Sequence, residues 1–313
     1  MLNPVHLRTL REVGRTGSFA EAGRALGHTA SAVSQQMAQL ERSVGAALFE
    51  RTARSAHLTP LAERLAERSR DALAALEALE REVRDVVAGE RGGLRLASFA
   101  TANARVLPDA LAALVEARPD AEVQLDEGEP DEVVGGVVDG TVDAAVVFEY
   151  DLDPREWPPQ LCAEEVLAEP LALALPPDRA PDRPGPSEIG LAELAEHPWI
   201  CTRPDTSGAR SLVRWAATAG FAPRIVFRSD DYGVIRDLVA RGLGVAVLPA
   251  LAVGDGRVRA ARPSGWQPNR RVKILYRRQN TNPLLPLALQ YLRRSCAELA
   301  RSWCGGPTRA EGA

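Results

Sequence analysis

Between residues 16 and 40 the chain reads TGSFAEAGRALGHTASAVSQQMAQL, and its apolar positions fall into two short helical stripes. Phe19, Ala22, Ala25 and Leu26 share one face of a helix over 19–26, and Ala30, Val33, Met37 and Leu40 share one face of a second over 30–44. Ser18 caps the first, with Glu21 completing a capping box, and Thr29 caps the second. Gly27 and His28 make the turn between them. The outer face of the second helix is left with Ser31, Ala32, Ser34, Gln35, Gln36 and Gln39, and no acid precedes Glu41. Such a face is either a solvated surface or a reader of the DNA major groove. In the groove, Gln pairs bidentately with adenine, and Ser bonds a base or a phosphate.

The flanking pattern favours the second reading. Residues 3–14 predict a helix opened by Pro4, whose Val5, Leu7, Leu10 and Val13 pack on the pair. At 48–60, LFERTARSAHLTP places two short apolar runs around Arg51 and Arg54. This suits a two-stranded wing with its arginines on phosphates. From 60 to 87 the pattern is one long helix. Leu61, Leu65, Ala72, Leu76, Leu79, Val83 and Val86 recur at three- and four-residue steps on one side, which favours a helix contact between subunits.

After the hinge GERGG at 89–93 the pattern alternates. Strands are predicted at 94–99, 121–128 and 142–148, with helices at 105–117 and 131–138 between them, which argues a parallel sheet with right-handed crossovers. A Pro-rich connection over 149–165 leads to a strand at 169–177 and a Pro-dense loop over 176–190. A short helix at 191–195 follows. Strands at 198–202, 223–229 and 244–249 then alternate with helices at 209–219 and 232–240, and a strand at 272–277 and a helix at 286–303 close the pattern. The tail from 305 to 313 is expected to be disordered.

Several stretches in combination resemble the winged helix-turn-helix of LysR-type transcriptional regulators: GSFAEAGRAL at 17–26, TASAVSQQMAQLE at 29–41, VGAALFERT at 44–52 and LTP at 58–60. The similarity runs to about residue 300. Ala30 and Ser31 stand where the family commonly has Gln and Pro, so the resemblance carries no base preference to that end of the helix. It implies an α/β chain of three parts. These are a DNA-binding domain at 1–60, a dimerising linker helix and hinge at 61–90, and an effector domain at 91–304 built like a periplasmic binding protein. The first half of that domain spans 92–164 and 268–303, and the second 165–267. The DNA-binding candidates are Ser18, Thr29, Ser31, Ala32, Ser34, Gln35, Gln36, Gln39, Arg51 and Arg54. The expected partners are double-stranded DNA, a small-molecule effector such as a carboxylate, RNA polymerase, and further copies of the chain in a dimer or tetramer.

Charge and composition sharpen the division. Over residues 1–58 seven arginines face four glutamates, leaving that segment at +3 and the remainder at −7 of the net −4. A basic head on an acidic body fits a polyanion partner at one end only. The four cysteines, Cys162, Cys201, Cys296 and Cys304, lack metal-ligand spacing and predict reduced thiols. Free cysteine is ordinarily a small buried hydrophobe, with redox sensing the alternative for Cys201. No cofactor or metal site is expected. With no export signal and no run of 18 apolar residues, the expectation is a soluble, cytoplasmic chain.

In open parallel sheets ligands sit beyond the carboxyl ends of the strands. There stand Ser98, Phe99, Ala100 and Thr101 after the first strand, Phe148 after the third, and Thr202 and Arg203, Asp231 and Tyr232, and Leu248 in the second half. Ser98 and Thr101 either cap and turn the chain or hold an anion. The resemblance, in which effector contacts cluster at this loop, implies the anion. A solute-binding protein or a small-molecule enzyme with an appended helix-turn-helix is the alternative. The sequence lacks GxSxG, HExxH, P-loop and Rossmann fingerprints, which speaks against an enzyme.

Overall fold

A computed structural model describes residues 2–50, 57–88, 93–177, 188–254 and 256–304. The chain divides into two compact units, one of Met1–Gly89 with Val138–Thr141 and one of Glu90–Val137 and Val142–Ala313.

The first unit opens with α1 (Pro4–Thr16), α2 (Phe19–Leu26) and α3 (Ala30–Val44), each started by a side-chain cap from Asn3, Ser18 or Thr29. Each stops at a glycine in the left-handed region: Gly17, Gly27 and Gly45, at φ of 66°, 69° and 76°. Nothing lies within 4 Å of a side chain added at any of the three. Backbone conformation, not space, is therefore what asks for glycine there. Leu10, Val13, Val33, Met37, Leu40 and Leu48 form a sealed core. Ala25 and Ala30, expected on the packed stripes, are exposed, because the larger neighbours already close that core.

Strand β1 (Phe49–Glu50) pairs antiparallel with β2 (His57–Leu58), and the Phe19 ring meets Phe49 edge-on at 5.1 Å. The Glu41 carboxylate accepts from Leu48 N at 2.7 Å, fixing the exit of α3 to the wing. Arg51 and Arg54 lie outside the described residues. Helix α4 (Pro60–Ala88) begins inside this core through Ala62, Leu65, Ala66 and Leu73. Its Leu61, Ala72, Leu79 and Val83 are exposed.

The second unit runs β3 (Gly93–Ser98), α5 (Ala100–Arg105), α6 (Leu107–Ala117), β4 (Glu122–Glu127), α7 (Pro130–Asp139), β5 (Ala144–Tyr150), β6 (Leu161–Leu175) and β7 (Glu188–Ile189). It continues through β8 (Pro198–Cys201), α8 (Ser207–Thr218), β9 (Arg224–Arg228), α9 (Tyr232–Ala240), β10 (Ala246–Pro249), α10 (Ala250–Val253), β11 (Arg259–Pro263), β12 (Asn269–Arg277) and α11 (Leu285–Cys304). Strands β4, β3 and β5 are parallel, as the alternating pattern predicts. Next to β5 the chain returns as antiparallel β12, then β6, whose far end pairs with β10 and β11. Strand β8 is parallel to β9 and joins the residue before β10 through Ile200 N to Val245 O at 2.8 Å.

Three expectations change. The helix expected at 105–117 is α6, and a short helix not expected, α5, precedes it from Ala100, the two separated at Val106 where Pro108 enters the first turn of α6. Strand β6 begins at Leu161, inside the stretch read as a connection. The prolines end at Pro159, and the charged residues after them sit on a half-exposed strand. Strand β12 begins at Asn269, not 272. Residues 305–313 lie outside the described chain. Among the described residues no helix is long and apolar enough to cross a membrane, and no acidic, histidine or cysteine cluster could hold a metal ion.

Candidate functional site

Helix α3 carries the first candidate surface. Ser31, Gln35 and Gln39 recur at four-residue steps and are exposed, with exposed Ser34 beside them. Two turns of helix carry this row over about 12 Å. Thr29 is occupied as the cap: its Oγ1 accepts from Ala32 N at 3.2 Å and lies 3.0 Å from Ser31 Oγ. Ser18 is half-buried and caps α2. Ala32 is half-buried, and Gln36 departs from the outward face. Its Oε1 accepts from Thr9 Oγ1 of α1 at 2.7 Å, and Thr9 is buried. Gln36 sits one step from Met37 around the helix, on the flank that α1 covers.

The second site lies where strand ends of both halves of the second unit meet. A narrow pocket is lined by Phe99, Ala100, Thr101, Phe148, Thr202 and Tyr232 from the expected set. Glu129, Tyr150, Thr206, Ser207, Gly208, Asp230 and Arg270 complete it.

Arg270 governs its chemistry. The side chain is 1% exposed and forms an ion pair with Glu169, itself 0% exposed. Its Nη2 donates to Thr101 Oγ1 at 2.7 Å, and its guanidinium carbon stands 4.9 Å from the Phe99 ring centre and 5.0 Å from that of Phe148. The second Glu169 oxygen accepts from Leu251 N at 2.9 Å. Burial opposes the charge on Arg270, yet Glu169 outweighs it and holds the guanidinium above its ordinary pKa, so it stays cationic.

Hydroxyls surround this cation. Thr202 Oγ1 lies 2.6 Å from Thr206 Oγ1, and the Tyr150 and Tyr232 hydroxyls are 3.4 Å apart. Burial pushes both phenols above the ordinary tyrosine range, keeping them neutral donors. Ser207 and Gly208 open α8, where the first backbone N–H groups of a helix lack intrahelical partners. Burial also lifts the Glu129 carboxyl above its usual range, with Arg270 pulling against that rise.

Four expected residues stand apart. Ser98 is fully buried behind the pocket, its Oγ without a hydrogen-bond partner among the described residues. Arg203 turns outward, its side chain ion-paired to Asp230 and its backbone N donating to Asp230 Oδ1 at 2.9 Å. Asp231 caps α9, accepting from Gly233 N at 2.7 Å, and borders only a wider groove beside the pocket. Leu248 is 0% exposed and packs with Ile235 and Val239, because alternation along β10 turns it from the face of Val247 and Pro249. Arg270 itself was outside the predicted strand. Its signal is the alternation that places it on one face with buried Val272 and Ile274.

Comparison with known proteins gives two family matches. Residues 4–63 match the bacterial regulatory helix-turn-helix protein, lysR family, and residues 88–297 match the LysR substrate binding domain. The chain is 33% identical over 245 residues to the HTH-type transcriptional regulator IlvR of Caulobacter vibrioides, covering 78% of this chain and 81% of that one. It is 31% identical to a probable hydrogen peroxide-inducible genes activator of Streptomyces viridosporus, covering 87% and 86%. Among solved structures, full-length CbnR complexed with its target DNA matches with a TM-score of 0.55 and 26% identity, over 94% of this chain and 100% of that one.

Proposed function

The chain belongs to the LysR family of transcriptional regulators, and from that premise we propose that it binds operator DNA through the exposed face of α3 and responds to a small organic acid held at Arg270. A DNA-binding head and an effector-binding domain define the regulator. What the proposal adds is which residues read and which sense.

The observation that carries the sensing half is the buried cation. A guanidinium between two aromatic rings, bonded to one carboxylate and one hydroxyl, has N–H groups left for a second anion, and neutral hydroxyls beside it. Thr101 and Arg270 belong to the first half of the domain, Thr202, Thr206 and Ser207 to the second. An acid held by both sets changes the angle between the halves and so biases the protein between two states on DNA.

The reading half rests on Ser31, Ser34, Gln35 and Gln39, with Arg51 and Arg54 of the wing on phosphates. Self-association runs through Ala72, Leu76, Leu79 and Val83, a heptad-like row whose Leu79 and Val83 are 55% and 53% exposed. Pairing brings two recognition helices to two half-sites, which supports a dimer as the minimum and a tetramer as its doubling. The cytoplasm, where RNA polymerase is the further partner, is the setting this implies.

A peroxide-sensing reading has less support. Cys201 is buried and burial pushes its thiol above the ordinary range, whereas a sensor needs accessible thiolate.

Footprinting on the DNA flanking the protein's own gene, with and without a panel of small carboxylic acids, tests the proposal. We expect one protected region whose extent changes with at least one acid and with none of the matching amides. A footprint indifferent to every acid would remove the anion from the account.

A further inference from the structure

A second cavity adjoins the anion pocket. It is narrow, and it shares Tyr150, Thr202, Gly208 and Tyr232 with the first. Its other walls differ in kind: Leu171, Ile200, Leu212, Trp215, Ile235 and Val247 are apolar. One polar group breaks this lining. Ser211 is 2% exposed, and its Oγ has no hydrogen-bond partner among the described residues. A hydroxyl desolvated at that depth costs free energy until something pairs with it.

The shared wall is thin and closed in this structure. Gly208 lies in the first turn of α8 without a left-handed φ, so backbone conformation does not ask for glycine. Space does: a side-chain carbon there would stand 3.0 Å from Thr202 Oγ1 and 3.5 Å from the Tyr150 hydroxyl. Across from it the Tyr150 and Tyr232 hydroxyls are separated by 3.4 Å, a long contact that little energy holds shut.

We propose that the effector is an amphipathic acid in two parts. Its carboxylate sits at Arg270, and its short alkyl arm parts the Tyr150–Tyr232 contact and enters the apolar chamber beside Gly208, where a hydrogen-bonding group at the tip meets Ser211 Oγ. This rests on the anion reading of the first pocket. It goes further by fixing the ligand's other end.

The test is calorimetric titration of the full-length protein with acetate, butanoate, pentanoate, hexanoate, 5-hydroxypentanoate and 1-hexanol. Each methylene that enters the chamber should tighten binding about fourfold, the equivalent of ~0.8 kcal/mol per buried methylene. 5-Hydroxypentanoate should bind more tightly than its near-isostere hexanoate, and Ser211→Ala should reverse that order. Val247→Phe, at a half-buried position on the chamber wall, should erase the chain-length gain while leaving acetate unchanged; circular dichroism confirms its fold. Acids that bind with an affinity flat in chain length would overturn the chamber and leave the anion site standing. Binding of 1-hexanol without any acid would do the reverse. Binding of neither class would sink both.

Discussion

The two recognition surfaces proposed for this chain are built on opposite physical terms. The face of α3 is uncharged, exposed and held by its own helix; its side chains contribute nothing to the core behind them. The pocket is organised by a charge taken wholly out of water, with a counterion, a hydroxyl and two aromatic rings arranged to keep it there. A surface reader is free to vary because folding does not depend on it. A buried reader is part of what folding must satisfy, so recognition and stability are coupled there.

The largest predicted effect follows from that coupling. Glu169→Gln leaves Arg270 buried without a counterion and should cost about 3–5 kcal/mol of stability in urea unfolding. Replacing both partners, Glu169→Leu with Arg270→Met, should return stability to within about 2 kcal/mol of the parent while removing acid binding. If Glu169→Gln unfolds no more easily than a surface variant, the pocket is not organised by its ion pair and the contrast disappears.

The next effect belongs to α4. Leu79→Asp with Val83→Asp should convert the protein to a monomer by light scattering and weaken operator binding by about a hundredfold through lost bivalency. An unchanged mass would move the subunit contact elsewhere.

Two neighbours on α3 sharpen the comparison further. Gln35→Ala should lose about 1–3 kcal/mol of discrimination between operator and scrambled DNA, with stability within about ±0.5 kcal/mol of the parent. Gln36→Ala should do the opposite, losing about 0.5–1.5 kcal/mol of head stability with its Thr9 hydrogen bond and little discrimination. Equal effects of the two in both assays would show that helix face does not separate reading from packing here.

The smallest effect is on pH. Burial raises the Glu129 pKa, and Arg270, Asp230, Glu132 and Arg155 are the charged groups acting on it. Its ionised form repels a bound anion, so affinity for an acid should increase as pH falls toward the raised pKa and decrease as pH rises above it. Glu129→Gln should flatten this dependence and tighten binding near neutrality. A profile of the opposite slope would place Glu129 outside the reach of the ligand.

How far each surface was legible in the sequence follows from the same contrast. Caps at Ser18 and Thr29, glycine stops and a 3.6-residue stripe are local signals, and they set the bounds of α2 and α3. Gln36 was misplaced because a helix has flanks: its orientation depends on Thr9, 27 residues away, which the α3 pattern does not contain. Arg270 was missed for a stronger version of that reason. Its partners Glu169 and Thr101 are 101 and 169 residues distant, and nothing near it in sequence marks it as buried. Its neighbour Arg271 has a half-exposed side chain. Arg203 shows the converse. Its strand-end position makes it either an anion ligand or a surface arginine, and Asp230 at the neighbouring strand end takes its charge. Thr101 and Thr202 line the pocket as strand-end residues do, because strand ends in a parallel sheet converge whatever their side chains do.

The central claim is that an acid at Arg270 controls an operator-binding head, and fluorescence anisotropy of a labelled operator tests it most directly. The operator midpoint is measured with and without an acid that calorimetry shows to bind, for the parent protein and for Thr101→Val. The account predicts a shift of about tenfold in the parent, within the ordinary range of coupling between sites, and none in the variant. The same shift in both proteins, or none in either, would contradict it.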